Sequence, residues 1–338
     1  MGVRTHNYEE RIALEPWHYG GPEHVHRAPS VAIIDLDGLF VDAEDGLAWQ
    51  IEPGQPWWDA SSADERRRVE TVAVSAGSRL RALLVHPPAG PAPGAVRVRT
   101  LGCMEIEGDD CSGRWLGQRT GDLLKFLVCR RYRVVHAQDI AEALWGHRGF
   151  VSSGTVRQCV HDLREKLDAG RLGVCEQIVI TRQSGYALSP IAAVDADDFA
   201  VHVRRGIAAL EQGRQQIATV HLRRAVAMYR GDFLADEPHS DWAYGERELL
   251  REHMEDALAA LAELYLAAGD LEAATSCRQR LAGMRPLDAD VHRGLLTVLL
   301  AQGRHSHAAR CYDAFCARLL RDFGRAPGFT LAELTAAR

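Results

Sequence analysis

No run of about eighteen apolar residues occurs in this 338-residue chain, so no membrane-spanning helix is expected. The first thirty residues lack an apolar signal core and carry Arg4, Glu9, Glu10, Arg11 and Glu15, which leads to the expectation of a soluble, cytoplasmic protein. The eight cysteines (Cys103, Cys111, Cys129, Cys159, Cys175, Cys277, Cys311 and Cys316) never form a C-x-x-C pair, and several fall at apolar positions of helical patterns; they read as reduced packing residues. Histidines are plentiful, but His24 and His26, or His305 and His307, have no acidic or cysteine ligand set beside them, so no metal site is expected. A G-x-x-x-x-G-K-[ST] loop is also missing, and no cofactor is expected.

Positive charge is scarce overall, with a formal net charge of -6, which argues against a uniformly basic nucleic-acid binder. Its distribution is uneven. Between Ala95 and Pro190 there are 14 basic and 11 acidic residues, a local +3, so the rest of the chain carries -9.

Two breaks divide the chain into an extension (1–94), a middle part (95–190) and a C-terminal part (191–338). The Pro- and Gly-rich HPPAGPAPGA, His86 to Ala95, suits a linker. At SPIAAVDAD, Ser189 to Asp197, strand-like alternation gives way to helical periodicity. The middle part opens with VRVRTLGCMEIEG, Val96 to Gly108, an alternating pattern around Gly102 that predicts a hairpin. Helices are predicted at Thr120 to Cys129, Ala137 to Trp145 and Ser153 to Leu167, then a strand pair over Gln177 to Ser189. Sheet, three helices and hairpin is the order of a winged helix-turn-helix.

In the C-terminal part, LYLAAGDLEAATSCRQR from Leu264 and VLLAQGRHSHAARCYDA from Val298 repeat one another. Gly269 to Gly303, Ala274 to Ala308 and Cys277 to Cys311 each span 34 residues, the length of a tetratricopeptide unit. Long helical character also covers Leu210 to Leu234 and Trp242 to Ala268. The fold class is therefore read as mainly α with small β-sheets: a winged helix-turn-helix plus a TPR-like helical repeat domain, preceded by a small α/β extension. In that extension Val31 to Leu36 reads as strand, Ala63 to Ala76 as helix, and Arg79 to Pro87 as a further apolar run.

The third predicted helix of the middle part is two-faced. Val156, Val160, Leu163 and Leu167 share one side, which belongs to a core. Arg157, His161 and Arg164 recur on the other, joined by Thr155 and Gln158, and such donors suit base edges and phosphates. A solvated amphipathic helix has the same look, but here a helix precedes it and a hairpin carrying Arg182 and Gln183 at its tip follows it. Lys166, Arg119 and Thr120 complete the set of expected DNA contacts.

Taken in order, LGCMEIEG, TGDLLKFLV, IAEALWG, TVRQCVHDLREKL and ITRQSGYAL resemble the OmpR/PhoB-type winged helix. From Asp197 on, DDFA, LRRAVAMYRGDFLAD, ERELLREHMEDALAALAELYLAAGD, RPLDADVHRGLLTVLLAQGR and FGRAPGFTLAEL resemble the bacterial transcriptional activator domain. The tandem is similar to the SARP family of pathway-specific activators. The resemblance implies a non-enzymatic, DNA-binding activator of a secondary-metabolite (antibiotic) gene cluster. It further implies that two protomers bind direct repeats in promoter DNA as a homodimer and recruit RNA polymerase through its sigma and alpha subunits. It places the recognition helix on Ser153 to Leu167, the wing on Thr181 to Tyr186, and the loop between the second and third helices on Gly146 to Ser152. Asp162 departs from the family pattern, where a basic or small polar residue is common.

Two rival readings stand beside this one. DLDGLFVDAE, Asp35 to Glu44, looks like the nucleophile motif of haloacid dehalogenase-like phosphatases, but too few residues follow before the linker for a doubly wound core, and a strand end with an acidic loop explains it. The helical repeats alone would suit a protein-interaction scaffold, which leaves Arg157, Arg164 and Arg182 unexplained.

Overall fold

The computed structural model describes residues 29–37, 39–44, 54–57, 61, 69–74, 79–85, 97–106, 117–131, 133–146, 152–168, 178–182, 185–189 and 192–336. The expected linker at 86–95, Cys111, Cys175, Gln183 and most of the loop 146–152 lie outside them. No helix among the described residues is long and apolar enough to cross a membrane.

Near the N-terminus, β1 (Ser30–Ile34), β2 (Phe40–Ala43), β3 (Val69–Ala73) and β4 (Arg81–Val85) form an antiparallel sheet of order β2-β1-β4-β3. The apolar run Val31–Ile34 is buried on both faces: Val31, Ile33, Ala82 and Leu84 join the main core, while Ala32, Ile34, Phe40 and Leu83 form a second cluster with Trp57. The helix expected over Ala63 to Ala76 is corrected here. Residues 69–73 are a strand, paired along its length with β4 from Val69↔Val85 to Ala73↔Arg81, because the β-branched Val69, Thr71 and Val72 fit a pleated surface and a partner strand is available. Residues 62–68 lie outside the described part. In the DLDG turn, Asp35 Oδ1 accepts from the N–H groups of Asp37 and Leu39, both at 2.9 Å, so this carboxylate closes a turn in an antiparallel sheet.

The expected winged-helix elements appear in order. β5 (Arg97–Arg99) and β6 (Glu105–Ile106) pair antiparallel, followed by α1 (Gln118–Cys129), β7 (Val135–His136), α2 (Ala137–Trp145), α3 (Ser153–Asp168), β8 (Val179–Arg182) and β9 (Gly185–Leu188). β10 (Ala193–Val194) then returns to pair parallel with β5, giving a three-stranded sheet of order β10-β5-β6. From its end springs the helical part: α4 (Asp195–Glu211), α5 (Gln215–Met228), α6 (Asp241–Ala267), α7 (Leu271–Met284), α8 (Ala289–Ala301), α9 (His305–Phe323) and α10 (Leu331–Ala336).

The 34-residue repeat has a structural counterpart. Gly269 and Gly303 each follow a helix at φ 77° and 71°, a left-handed turn that L side chains resist. Ala274 and Ala308 are both fully buried, each the fourth residue of the next helix. Cys129, Cys159 and Cys277 are buried, and burial pushes each thiol up to about 11, so they pack as neutral side chains; Cys103 is exposed.

The winged helix and the helices share one core cluster, running from Val31 to Phe329. Polar contacts fix their junction. Asp195 Oδ1, in the first turn of α4, accepts from Thr100 N at 2.6 Å and Thr100 Oγ1 at 2.7 Å. Arg131, only 5% exposed, donates from Nε to Asp197 at 2.8 Å and from Nη2 to Glu246 of α6 at 2.6 Å. Lys125 of α1 meets Asp236 at 2.6 Å and Glu237 at 2.7 Å, and Phe126 stands edge-on to Trp242 at 5.6 Å. Replacing Arg131 by Met should strand the buried Glu246 carboxylate and cost about 3–5 kcal/mol, whereas the double change Arg131→Met, Glu246→Leu should recover much of the loss. Urea unfolding measures both, and an unchanged midpoint for Arg131→Met would refute the role of the pair.

Candidate DNA-binding surface

α3 owes its place to a wholly apolar side. Val156, Cys159, Val160, Leu163 and Leu167 are buried against the core, a spacing of three and four residues that turns the opposite face outward. On that outer face Arg157, Gln158 and His161 are exposed, with Thr155 half-buried at the helix start. Arg157 has no hydrogen-bond or ion-pair partner among the described residues. Gln158 Nε2 donates to Asp162 Oδ1 at 2.7 Å, and His161 lies 3.6 Å from Glu165, both side chains exposed. The face therefore mixes donors with two carboxylates one helical turn further on, and Asp162 spends itself on Gln158.

The other expected contacts divide differently. Arg164 does not project outward: its Nε and Nη2 donate to the carbonyl of Val179 at 3.1 and 2.7 Å, and Nη2 also reaches Thr181 Oγ1 at 3.0 Å. It pins β8 to α3. Lys166 Nζ reaches Thr120 Oγ1 at 3.3 Å, and Thr120 is 4% exposed, its hydroxyl donating to Gly117 O at 3.4 Å. That pair fastens α3 to the start of α1, helped by Cys159 Sγ donating to the carbonyl of Arg119 at 3.4 Å. The Arg119 side chain itself is exposed. Arg182 is exposed at the end of β8, opposite Gly185, and the wing tip residue Gln183 lies outside the described residues.

The wing sheet contains a strand the sequence pattern missed. β7 pairs with β9 through Val135↔Tyr186 and His136↔Gly185, making the order β7-β9-β8. Two residues carry no readable period. Gly185 is the one signal that bears on it: a Cβ there would stand 2.5 Å from the Val135 carbonyl, so only glycine lets β7 and β9 approach. This pairing brings the exposed His136 level with the base of the wing tip. No group of three or more His, Cys, Asp or Glu among the described residues could hold a metal ion.

This assembly has relatives. Residues 114–188 match the family model "Transcriptional regulatory protein, C terminal", and residues 194–337 match "Bacterial transcriptional activator domain". The transcriptional regulatory protein EmbR of Mycobacterium bovis and that of Mycobacterium tuberculosis are each 29% identical over 217 residues, 63% of this chain and 55% of theirs. The chain thus spans about half the length of those relatives. A solved structure of Mycobacterium tuberculosis EmbR in complex with a low affinity phosphopeptide superposes with a TM-score of 0.56 at 26% identity, covering 72% of this chain and 64% of that one. The chain thus carries a match to a transcriptional regulatory C-terminal domain followed by a match to a bacterial transcriptional activator domain, and this tandem is similar to that of SARP-type transcriptional regulators.

Proposed function

We propose that the chain is a sequence-specific DNA-binding transcriptional activator that lays the first half of α3 in the major groove and sets its wing on the flanking backbone. The observation that carries this reading is the division of labour among the basic residues of α3. Arg164 and Lys166 hold the wing and α1 in place, so Thr155, Arg157, Gln158 and His161 remain as an outward face with a fixed neighbour. Arginine and glutamine side chains pair bidentately with guanine and adenine edges, respectively. Arg119 and Arg182, exposed on either side, suit phosphates. Gln158 must exchange its bond to Asp162 for a base edge, so Asp162 acts as a competitor within the site.

The helical part supplies the protein-facing side. In the proposed mechanism two copies occupy direct repeats of a promoter, and the helical repeats, read as TPR-like, contact RNA polymerase through its sigma and alpha subunits. The controlled genes are proposed to form a secondary-metabolite cluster. These finer points rest on the family resemblance, and the polar outer face of α3 supports the DNA contact itself.

Electrophoretic shifts with the chain's own upstream DNA and neighbouring promoters, at about 50 and about 200 mM salt, test the reading: one fragment should shift ahead of random DNA, more weakly at the higher salt. Equal binding of every fragment would sink it. On the preferred fragment, Arg157→Ala should cost about 1–3 kcal/mol and relax discrimination at one position. Arg164→Met should instead weaken binding to all sequences alike and raise amide exchange over 179–182, since it releases the wing. Asp162→Asn should tighten binding by removing a negative charge beside phosphates; weaker binding would show that Asp162 orders the face and does not oppose it.

A further inference from the structure

The N-terminal sheet rests on α4 and α5, and its attachment is polar at the edges and titratable at the centre. Arg205 Nη1 donates to the carbonyl of Pro29 at 3.1 Å, Arg214 to that of Ala43 at 3.0 Å, and Arg223 to those of Ala73 and Val74 at 2.8 and 2.7 Å. Arg224 pairs with Glu70 at 3.3 Å. Arg205, Arg214 and Arg223 grip main-chain oxygens at strand ends, which any sheet of this shape offers. The centre is specific. Glu44, just beyond β2, places Oε1 2.7 Å from Nε2 of the fully buried His221 on α5, and His221 Nδ1 lies 2.8 Å from Nδ1 of the buried His202 on α4. The second Glu44 oxygen accepts from Val31 N at 2.7 Å.

We propose that Glu44, His221 and His202 form a proton-sensitive latch that holds the N-terminal sheet on α4 and α5 at neutral pH and releases it on acidification. His221 must carry its proton on Nε2 to meet the carboxylate. The two Nδ1 atoms at 2.8 Å hold one proton between them; with both protonated, two N–H groups face each other and the bond cannot form. Neutral rings satisfy the chain, as does one added proton, but not two. Separated in water, the two imidazoles protonate independently near pH 6.5. Undocking therefore takes up a proton, and acid favours it.

The carboxylate acts in the same direction. Burial opposes the charge of Glu44, but the hydrogen bond from His221, the Val31 N–H and Arg205, 3.8 Å away, outweigh it and hold the group below its ordinary value. A carboxylate lowered by docking stabilises the docked state above its free value and loses that contribution as pH falls through the docked one. The other charged groups of this attachment are Arg205, 3.8 Å from Glu44, and Arg214, Arg223 and Arg224 at its edges. His253 on α6, pushed down to about 4 by burial and by Arg204, stays neutral over the same range.

Release would also be felt at the winged helix. α4 carries the latch at His202 and the junction at Asp195 and Asp197, on one continuous helix.

Hydrogen exchange on the full chain tests the latch at about pH 7.5, 6.5 and 5.5, corrected for intrinsic rates. Opening measured on residues 30–44 and 81–85 should rise by up to about tenfold between pH 6.5 and 5.5. His202→Gln, whose amide can donate to His221 without titrating, should stay docked and flatten the profile; Glu44→Gln should open the sheet already at neutral pH. A flat wild-type profile, or a His202→Gln profile as steep as wild type, would overturn the proposal. Imidazole proton resonances of the wild type give a readout that needs no variant: the docked pair should take up one proton. Two independent titrations with the sheet still protected would overturn it as well.

Discussion

A guanidinium closed off from water between two carboxylates holds the winged helix to the rest of this protein. Arg131 follows α1 of the winged helix, and its partners Asp197 and Glu246 stand on α4 and α6. A buried charge of this kind is costly unless both partners are present in good geometry, so the three residues tolerate only one relative placement of their helices. Around it the same placement is repeated by Thr100 on Asp195, Lys125 on Asp236 and Glu237, and Phe126 on Trp242. The apolar core supplies most of the attraction, being continuous across the junction, and the ions supply the angle.

α4 is the common strut. Its first turn receives β5 through Asp195, and β10 leads straight into it from the winged-helix sheet. Midway along, His202 and Arg205 receive the N-terminal sheet. Built this way, the winged helix is not carried on a loose tether. In the proposed reading, the position of the helical part along a promoter is set by how α3 sits in the groove.

Periodicity made much of this visible beforehand. The apolar spacing of Val156, Val160, Leu163 and Leu167 located α3 and its buried side, and the alternation around Gly102 located β5 and β6. The 34-residue spacing of Gly269 and Gly303 marked two left-handed turns. What escaped depends on partners distant in sequence. β10 and β7 are two residues long and exist because β5 and β9 are beside them. β3 was read as the continuation of a charged helical stretch until β4 claimed it. Arg164 sits at a helical position identical in kind to Arg157, yet it turns to Val179 because the wing folds back on that side. Thr120 stands among the expected DNA contacts, yet it is buried and its hydroxyl meets Lys166. Spacing shows which residues share a face; it does not show what the chain brings against that face later.

The claim that winged helix and activator helices form one mechanical body is open to a single calorimetric scan of the full chain at about pH 7.5, where the proposed latch is closed. The structure predicts that α1–α3 and α4–α9 melt in one transition, with calorimetric and van't Hoff enthalpies equal for that step. Two resolved transitions, with the winged helix melting apart from the helical part, would contradict it and leave the winged helix on a tether.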